Sequence, residues 1–266
     1  MTIQKNLGLA LKVPMSLLHQ PVIYGENCVP SEGPVIFVAN HGYNLFSEVI
    51  ILAQMLNEKG HKLHLLASPW LNKIPGFKEI TSLVGIHEYS MEVARDLLRQ
   101  NCFVLIYPGG AREFFKARTH KYQLSWEGRE DFANLSIEEQ CPVIPMAVVG
   151  SDDHMESLLT LKQVVDSPVG TAAKLLGFKG LVDKTRDIAE KLPPLISKGT
   201  GLAALPRLRV KYYIQLGGLI SSSKWRGYGG NKKAVLAFQR MVATRLEADL
   251  SKMLAFRLME HLGEKE

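Results

Sequence analysis

The sequence predicts an α/β fold: a single domain over residues 1–266, built on a largely parallel mixed sheet flanked by helices. Two observations carry this. The short apolar runs VIFVAN, HKLHLLAS, CFVLIY and VIPMAVVG are rich in branched residues and lack a clean polar alternation, which marks strands buried on both faces. Segments with helical spacing of apolar residues fall between them, and strand, helix, strand in this rhythm is the signature of crossover units. Composition agrees, since 46% hydrophobic and 22% charged residues exclude a wholly disordered or fibrous chain.

The elements follow in chain order. Residues 1–20 form an N-terminal amphipathic segment, suited to lying on a membrane or on the protein's own core. Gly33-Pro34 precedes the first strand, which ends at Asn40-His41. Val49, Ile50, Leu52, Ala53 and Leu56 then predict a helix closed by Gly60. After HKLHLLAS, a loop from Pro69 to Phe77 is punctuated by Pro69 and Pro75, with Trp70, Pro75 and Phe77 either lining a pocket or packing the loop. Val93, Ala94, Leu97 and Leu98 mark a helix leading into CFVLIY, which stops at Pro108-Gly109-Gly110. A polar stretch to Arg129 precedes a helix through Phe132, Leu135 and Ile137, and Cys141-Pro142 opens the next strand. The motif-bearing core thus spans 22–160. Residues 157–206, rich in Leu, Gly, Lys and Pro, read as a helical insertion outside the sheet. LRVKYYIQLG returns as a strand, and Asn231 to Leu262 form one long amphipathic helix that buries Leu236, Val242, Leu246, Leu250, Met253 and Leu254.

Thirty-two Lys and Arg against 26 Asp and Glu leave a net charge of +6, which points to nucleic acid, an anionic membrane or an acidic substrate. Basic residues are scattered without interleaved aromatics, so nucleic acid is not expected as a partner. Three widely spaced cysteines suggest neither a disulfide framework nor a cysteine zinc site, and fit a reducing compartment. No uncharged apolar run reaches the roughly 18 residues needed to span a bilayer, and the N-terminus reads poorly as a signal peptide. Lys162, Lys174, Lys179, Lys184, Lys191 and Lys198 in the 157–206 insertion suit a membrane surface, with apolar residues in lipid and lysines towards headgroups; a lid on the core is the plainer alternative.

Two motifs stand out together. Asn40-His41 closes one strand and Pro108-Gly109-Gly110-Ala111-Arg112-Glu113 follows another, and in a parallel sheet both ends face one crevice. A strand-end histidine followed by a carboxylate suits a general base with an orienting partner. A loop with two glycines lets backbone amides approach an anion, and Arg112 can fork two hydrogen bonds to phosphate or carboxylate. Glu113 and Arg129 are expected as a structural ion pair, and Asp152-Asp153 as a helix N-cap rather than a metal site. No G-x-S-x-G, P-loop or dinucleotide fingerprint is present, and the eight histidines make no H-E-x-x-H.

VANHGYNLFSEVIIL, VLIYPGGAREFFK and the stretch from WEGREDFANLSIEEQ into CPVIPMAVVG resemble successive blocks of the lysophospholipid (glycerolipid) acyltransferase superfamily. Within it, PGG-x-RE followed by Trp126, Arg129 and Phe132, then Gly150-Ser151-Asp152-Asp153, is most similar to the branch of diacylglycerol acyltransferase-like and phytyl ester synthase-like proteins. The resemblance covers residues 22–160, with a weaker echo in LRVKYYIQLGGLI. It implies an O-acyltransferase moving a fatty acyl group from acyl-CoA or acyl carrier protein to a lipid hydroxyl, such as mono- or diacylglycerol or a long-chain alcohol. Donor and acceptor are substrates; no cofactor and no metal are implied. The place of work is a membrane surface on the cytoplasmic face. A same-class alternative is acylation of a lysophospholipid, and a different-class alternative is a non-catalytic lipid-binding protein with a degenerate site.

On this resemblance His41 is the general base. The superfamily's acid five positions on is replaced by Phe46, and the branch's acid six positions on by Ser47. Glu48 is the nearest carboxylate and the expected partner of His41, with Ser47 as fallback. Were 41–48 all helix, the two would lie roughly 10 Å apart along the axis, so a loop at 41–44 has to fold back on the helix start. Gly109, Gly110, Arg112, Glu113 and Pro145 are the expected substrate-binding positions, with amides near Gly109-Gly110 or a turn at Pro145 facing the oxyanion. In phosphate-using relatives the arginine matching Arg112 binds the acceptor's phosphate; here it serves the CoA or the fold.

Overall fold

The structure is a computed structural model that describes residues 21–42, 47–67, 85–114, 116, 120–153, 155–157, 171, 183, 204–206 and 210–263. Seven strands form one sheet: β1 (Val22–Tyr24), β2 (Val35–Ala39), β3 (Leu63–Ala67), β4 (Ile86–Glu88), β5 (Phe103–Ile106), β6 (Val143–Val149) and β9 (Tyr213–Leu216). Their order across it is β1-β9-β6-β2-β5-β3-β4. All neighbours pair in parallel except β6 and β9, so the sheet is mixed and largely parallel. Two further strands, β7 (Met155–Ser157) and β8 (Ala204–Pro206), pair antiparallel outside it.

Both faces of the sheet are covered, which is why its strands are unbroken apolar runs. Along β2 the side chains alternate between two cores: Ile36 and Val38 join one, and Val35, Phe37 and Ala39 the other. The first core is closed by α2 (Met91–Arg99), α4 (Asp131–Glu139) and α5 (Lys232–Gly263); the second by α1 (Ser47–Glu58), which contributes Leu52, Met55 and Leu56. Each such aliphatic side chain, fully buried, is worth about 1.5–3 kcal/mol. Ser90 caps α2 by accepting the Val93 amide at 3.1 Å. A single turn of helix, α3 (Ala111–Phe114), lies within the polar stretch after β5.

The expected α/β class and parallel sheet are observed. The sequence reading missed β1 and β4, edge strands of three residues with too little length for a pattern. It also treated 157–206 as helices and loops, whereas Ala204–Pro206 is a strand. The returning strand is shorter than LRVKYYIQLG, beginning at Tyr213. In α5, Val242, Leu246, Leu250 and Met253 are buried as expected and joined by Val235 and Phe238, while Leu236 and Leu254 are half-buried. The N-terminal segment, the Pro69–Phe77 loop and the six lysines of the insertion lie outside the described residues. Among the described residues no helix is long and apolar enough to cross a membrane.

Candidate active site

Strands β6, β2 and β5 are neighbours running the same way, so their carboxyl ends lie side by side at one edge of the sheet. The residues that follow them, 40–42, 107–113 and 150–153, meet there. Asn40 extends the β2–β6 ladder with its side chain: its amide donates to the Val148 carbonyl at 2.9 Å and its carbonyl accepts the Val148 amide at 2.8 Å. His41 is thereby fixed at the rim. Its Nδ1 lies 2.9 Å from the Gly42 carbonyl. A carbonyl only accepts, so the proton sits on Nδ1 and Nε2 carries the lone pair.

The second motif packs against the first. Glu113, fully buried, accepts the His41 amide at 2.7 Å and the Ser125 amide at 2.8 Å. Gly109 makes room for it, since a Cβ there would come within 2.2 Å of the Glu113 carboxyl carbon. Gly110 has φ +48°, and its amide is taken by the Tyr107 carbonyl at 3.0 Å. The rings of Tyr107 and Phe114 flank the imidazole, with centroids 4.5 and 5.2 Å away. Arg112 is exposed and donates from Nη1 to the Glu127 carbonyl at 2.8 Å.

Glu48 lies in the first turn of α1 and is buried; Ser47, which opens the helix, is buried too. Glu48 accepts a 3.4 Å hydrogen bond from the Tyr107 hydroxyl on Oε1, and its Oε2 has no partner among the described residues. Tyr107 therefore touches both Glu48 and His41, while the Nδ1 position expected for Glu48 is filled by Gly42's own carbonyl. Pro145 lies within β6 rather than in a turn; its carbonyl accepts the Gly217 amide at 2.8 Å, and as a proline it has no amide hydrogen to offer an oxyanion.

Two further expectations are corrected. No ion pair joins Glu113 to Arg129 among the described residues: both Glu113 oxygens are taken by amides, and Arg129 is exposed. Asp152 and Asp153 are not an N-cap but hubs of ion pairs. Asp152 meets Lys116 at 2.7 Å with both side chains buried, and accepts the Tyr122 amide at 2.7 Å. Asp153 binds Lys121 at 2.5 Å, the Tyr122 hydroxyl at 2.6 Å and Arg257 at 2.5 Å. Burial pushes the Asp153 carboxyl up, but those donors outweigh it and hold it at about 2. No cluster of three or more metal-ligating side chains occurs among the described residues. Sequence reasoning missed Tyr107 and Lys116, which carry no motif of their own.

Burial dominates the remaining electrostatics. It lowers His41 to about 4, with the Gly42 carbonyl opposing and Lys116 adding to the effect. Histidine NMR is expected to find the Nδ1–H tautomer and a midpoint far below 6.5; a midpoint near 6.5 would mean a solvated ring. Burial likewise raises Glu48 to about 7 and Glu113 to about 7. Between pH 4.5 and 7 folded Glu48 holds a proton that the unfolded chain releases, so its contribution to stability is lost as pH rises through that window. Glu48→Gln should therefore raise the melting temperature by several degrees at pH 8, on the order of 2 kcal/mol, and leave it nearly unchanged at about pH 5. Equal melting temperatures at about pH 8 would show that burial does not raise the Glu48 carboxyl.

Residues 20–149 match the family model described as Acyltransferase. The chain carries an acyltransferase-family domain. The chain is 30% identical over 149 residues to phytyl ester synthase 2, chloroplastic, of Arabidopsis thaliana, covering 53% of this chain and 21% of that protein. It is 27% identical over 140 residues to the human DGAT1/2-independent enzyme synthesizing storage lipids, covering 53% of this chain and 43% of that one. The chain thus matches less than half the length of these relatives. The acyltransferase fold extends beyond the matched residues: the crystal structure of the 1-acyl-sn-glycerophosphate (LPA) acyltransferase PlsC from Thermotoga maritima superposes with a TM-score of 0.54 at 13% identity, over 92% of this chain and 78% of that one.

Proposed function

We propose that this protein transfers a fatty acyl group from acyl-CoA or acyl carrier protein to the hydroxyl of a lipid such as mono- or diacylglycerol or a long-chain alcohol, with His41 as general base. The observation that carries the proposal is the state of the imidazole at the meeting point of three strand ends. Nδ1 is tied to the Gly42 carbonyl, burial keeps the ring neutral, and Nε2 is the basic nitrogen. The acceptor hydroxyl attacks the thioester carbonyl and gives its proton to Nε2; the departing thiolate takes that proton back, leaving an ester and a free thiol. With Gly110's amide engaged, the Gly109 amide is the candidate of that pair for the developing oxyanion.

The names of the relatives, a phytyl ester synthase and an enzyme of storage lipids, favour a neutral ester as product. Arg112, exposed on the same segment, is the candidate contact for the phosphates of CoA. An acceptor insoluble in water and a net charge of +6 both favour work at an anionic membrane surface on the cytoplasmic face. The test is thiol release from acyl-CoA with a panel of alcohols, diacylglycerol and lysophospholipids. Release that depends on a neutral lipid alcohol supports the proposal, and release that needs a phosphate on the acceptor transfers it to lysophospholipid acylation. No release, with lipid co-purifying, makes the protein a binder.

A further inference from the structure

His41 is held by its backbone as firmly as by its ring. Its amide donates to Glu113 Oε2 at 2.7 Å, and its carbonyl accepts from Lys116 Nζ at 2.9 Å. The lysine is 1% exposed and its partner Asp152 0% exposed. Asp152 is fixed in turn by the Tyr122 amide, and the next residue, Asp153, is tied to Lys121, Tyr122 and Arg257 of α5. A continuous polar chain therefore runs from the C-terminal helix to the peptide that carries the imidazole.

Stability gives little reason for such a pair. Desolvating two charges offsets most of their attraction, and apolar side chains of similar volume fill such a space as well or better. The pair is better explained by where it points. Lys116 grips the carbonyl of the 41–42 peptide, and rotation of that peptide would swing the following carbonyl, Gly42's, away from Nδ1.

We propose that Lys116, anchored by Asp152, is a positioning residue for His41: by fixing the His41 carbonyl it holds the Gly42 carbonyl where it keeps the proton on Nδ1 and leaves Nε2 to act. This rests on the reading of His41 as the base. Among the described residues, the groups facing His41 are Glu113 on its amide, Lys116 on its carbonyl, Asp152 behind Lys116, and the rings of Tyr107 and Phe114. The ammonium also opposes protonation of the ring, in the same direction as burial.

The test is the double variant Lys116→Met/Asp152→Asn, which removes both charges together and leaves a side-chain oxygen at position 152 to accept the Tyr122 amide. Circular dichroism and melting establish that it folds. The expected result is a fall in kcat of about tenfold or more with KM within about twofold, since no substrate contact is lost. Histidine NMR, which needs no activity, should show the Nδ1–H tautomer no longer dominant and the His41 midpoint lowered further, because losing the Gly42 carbonyl outweighs losing the opposing ammonium. A folded double variant with wild-type kcat and an unmoved His41 titration would overturn the proposal. Wild-type turnover in His41→Ala would instead overturn the catalytic reading, while the NMR titration still decides whether Lys116 positions the ring. If the double variant does not fold, Lys116→Gln alone, read by the same titration, decides it in the same way.

Discussion

His41→Ala will release thiol from acyl-CoA about 10²–10⁴ times more slowly than the wild type in the presence of acceptor, the usual contribution of a positioned general base. The fold should survive because of how the residue is held. The bonds to Glu113 and Lys116 are made by the His41 amide and carbonyl, which alanine also has. Among the described residues, the contact with the Gly42 carbonyl and the ring packing against Tyr107 and Phe114 are lost. The melting temperature is expected to move by no more than a few degrees, and KM to stay close to the wild-type value. Glu48→Gln is the informative contrast. With Nδ1 on a carbonyl rather than a carboxylate, loss of that charge should lower kcat far less than loss of the imidazole. Wild-type turnover in His41→Ala would remove His41 from the chemistry; a drop in Glu48→Gln equal to that in His41→Ala would return Glu48 to the role of partner.

What was legible in the sequence, and what was not, follows from the range of each interaction. VIFVA and FVLI read as strands because burial on both faces leaves no polar residue to interrupt them. The three-residue edge strands Val22–Tyr24 and Ile86–Glu88 exist only because a neighbour offers its free edge, Tyr213 opposite Val22 and Leu65 opposite Ile86. The site divides in the same way. His41 and Glu113 were visible as residues following strand ends, a local property. The destination of each hydrogen bond was not, because it depends on how 40–42, 107–114 with Lys116, and 150–153 approach one another. Glu113 therefore read as a partner for Arg129, when two backbone amides claim its oxygens. Asp152 and Asp153 read as a cap, when Lys116, Lys121 and Arg257 arrive from separate segments. Lys116 is one of 32 basic residues and has no motif of its own; its burial sets it apart.

Gly42→Ala is expected to damage both the fold and the turnover. A Cβ on Gly42 would lie 2.2 Å from Ser151 Oγ, 2.4 Å from Ser151 Cβ and 2.8 Å from the Ser151 carbonyl carbon. Rotation of the serine side chain relieves the first contact but not the third, so backbone must move. Two movements are possible, and both reach His41. If the end of β2 retreats, the Gly42 carbonyl leaves Nδ1. If the 151–153 turn retreats, Asp152 moves with it and Lys116 loses the anchor that holds it on the His41 carbonyl. Overpacking of this kind costs about 1–3 kcal/mol, several degrees in melting temperature, and the displaced imidazole should lower kcat about a hundredfold. Gly218→Ala is the control, because a Cβ there meets nothing within 4 Å among the described residues, and it should change neither quantity. Gly42→Ala/Ser151→Gly should recover part of both losses by removing the serine side chain while the backbone contact persists. Wild-type turnover and melting in Gly42→Ala would mean that the ends of β2 and β6 are not packed against each other, and the route from Asp152 to the imidazole would fall with that contact.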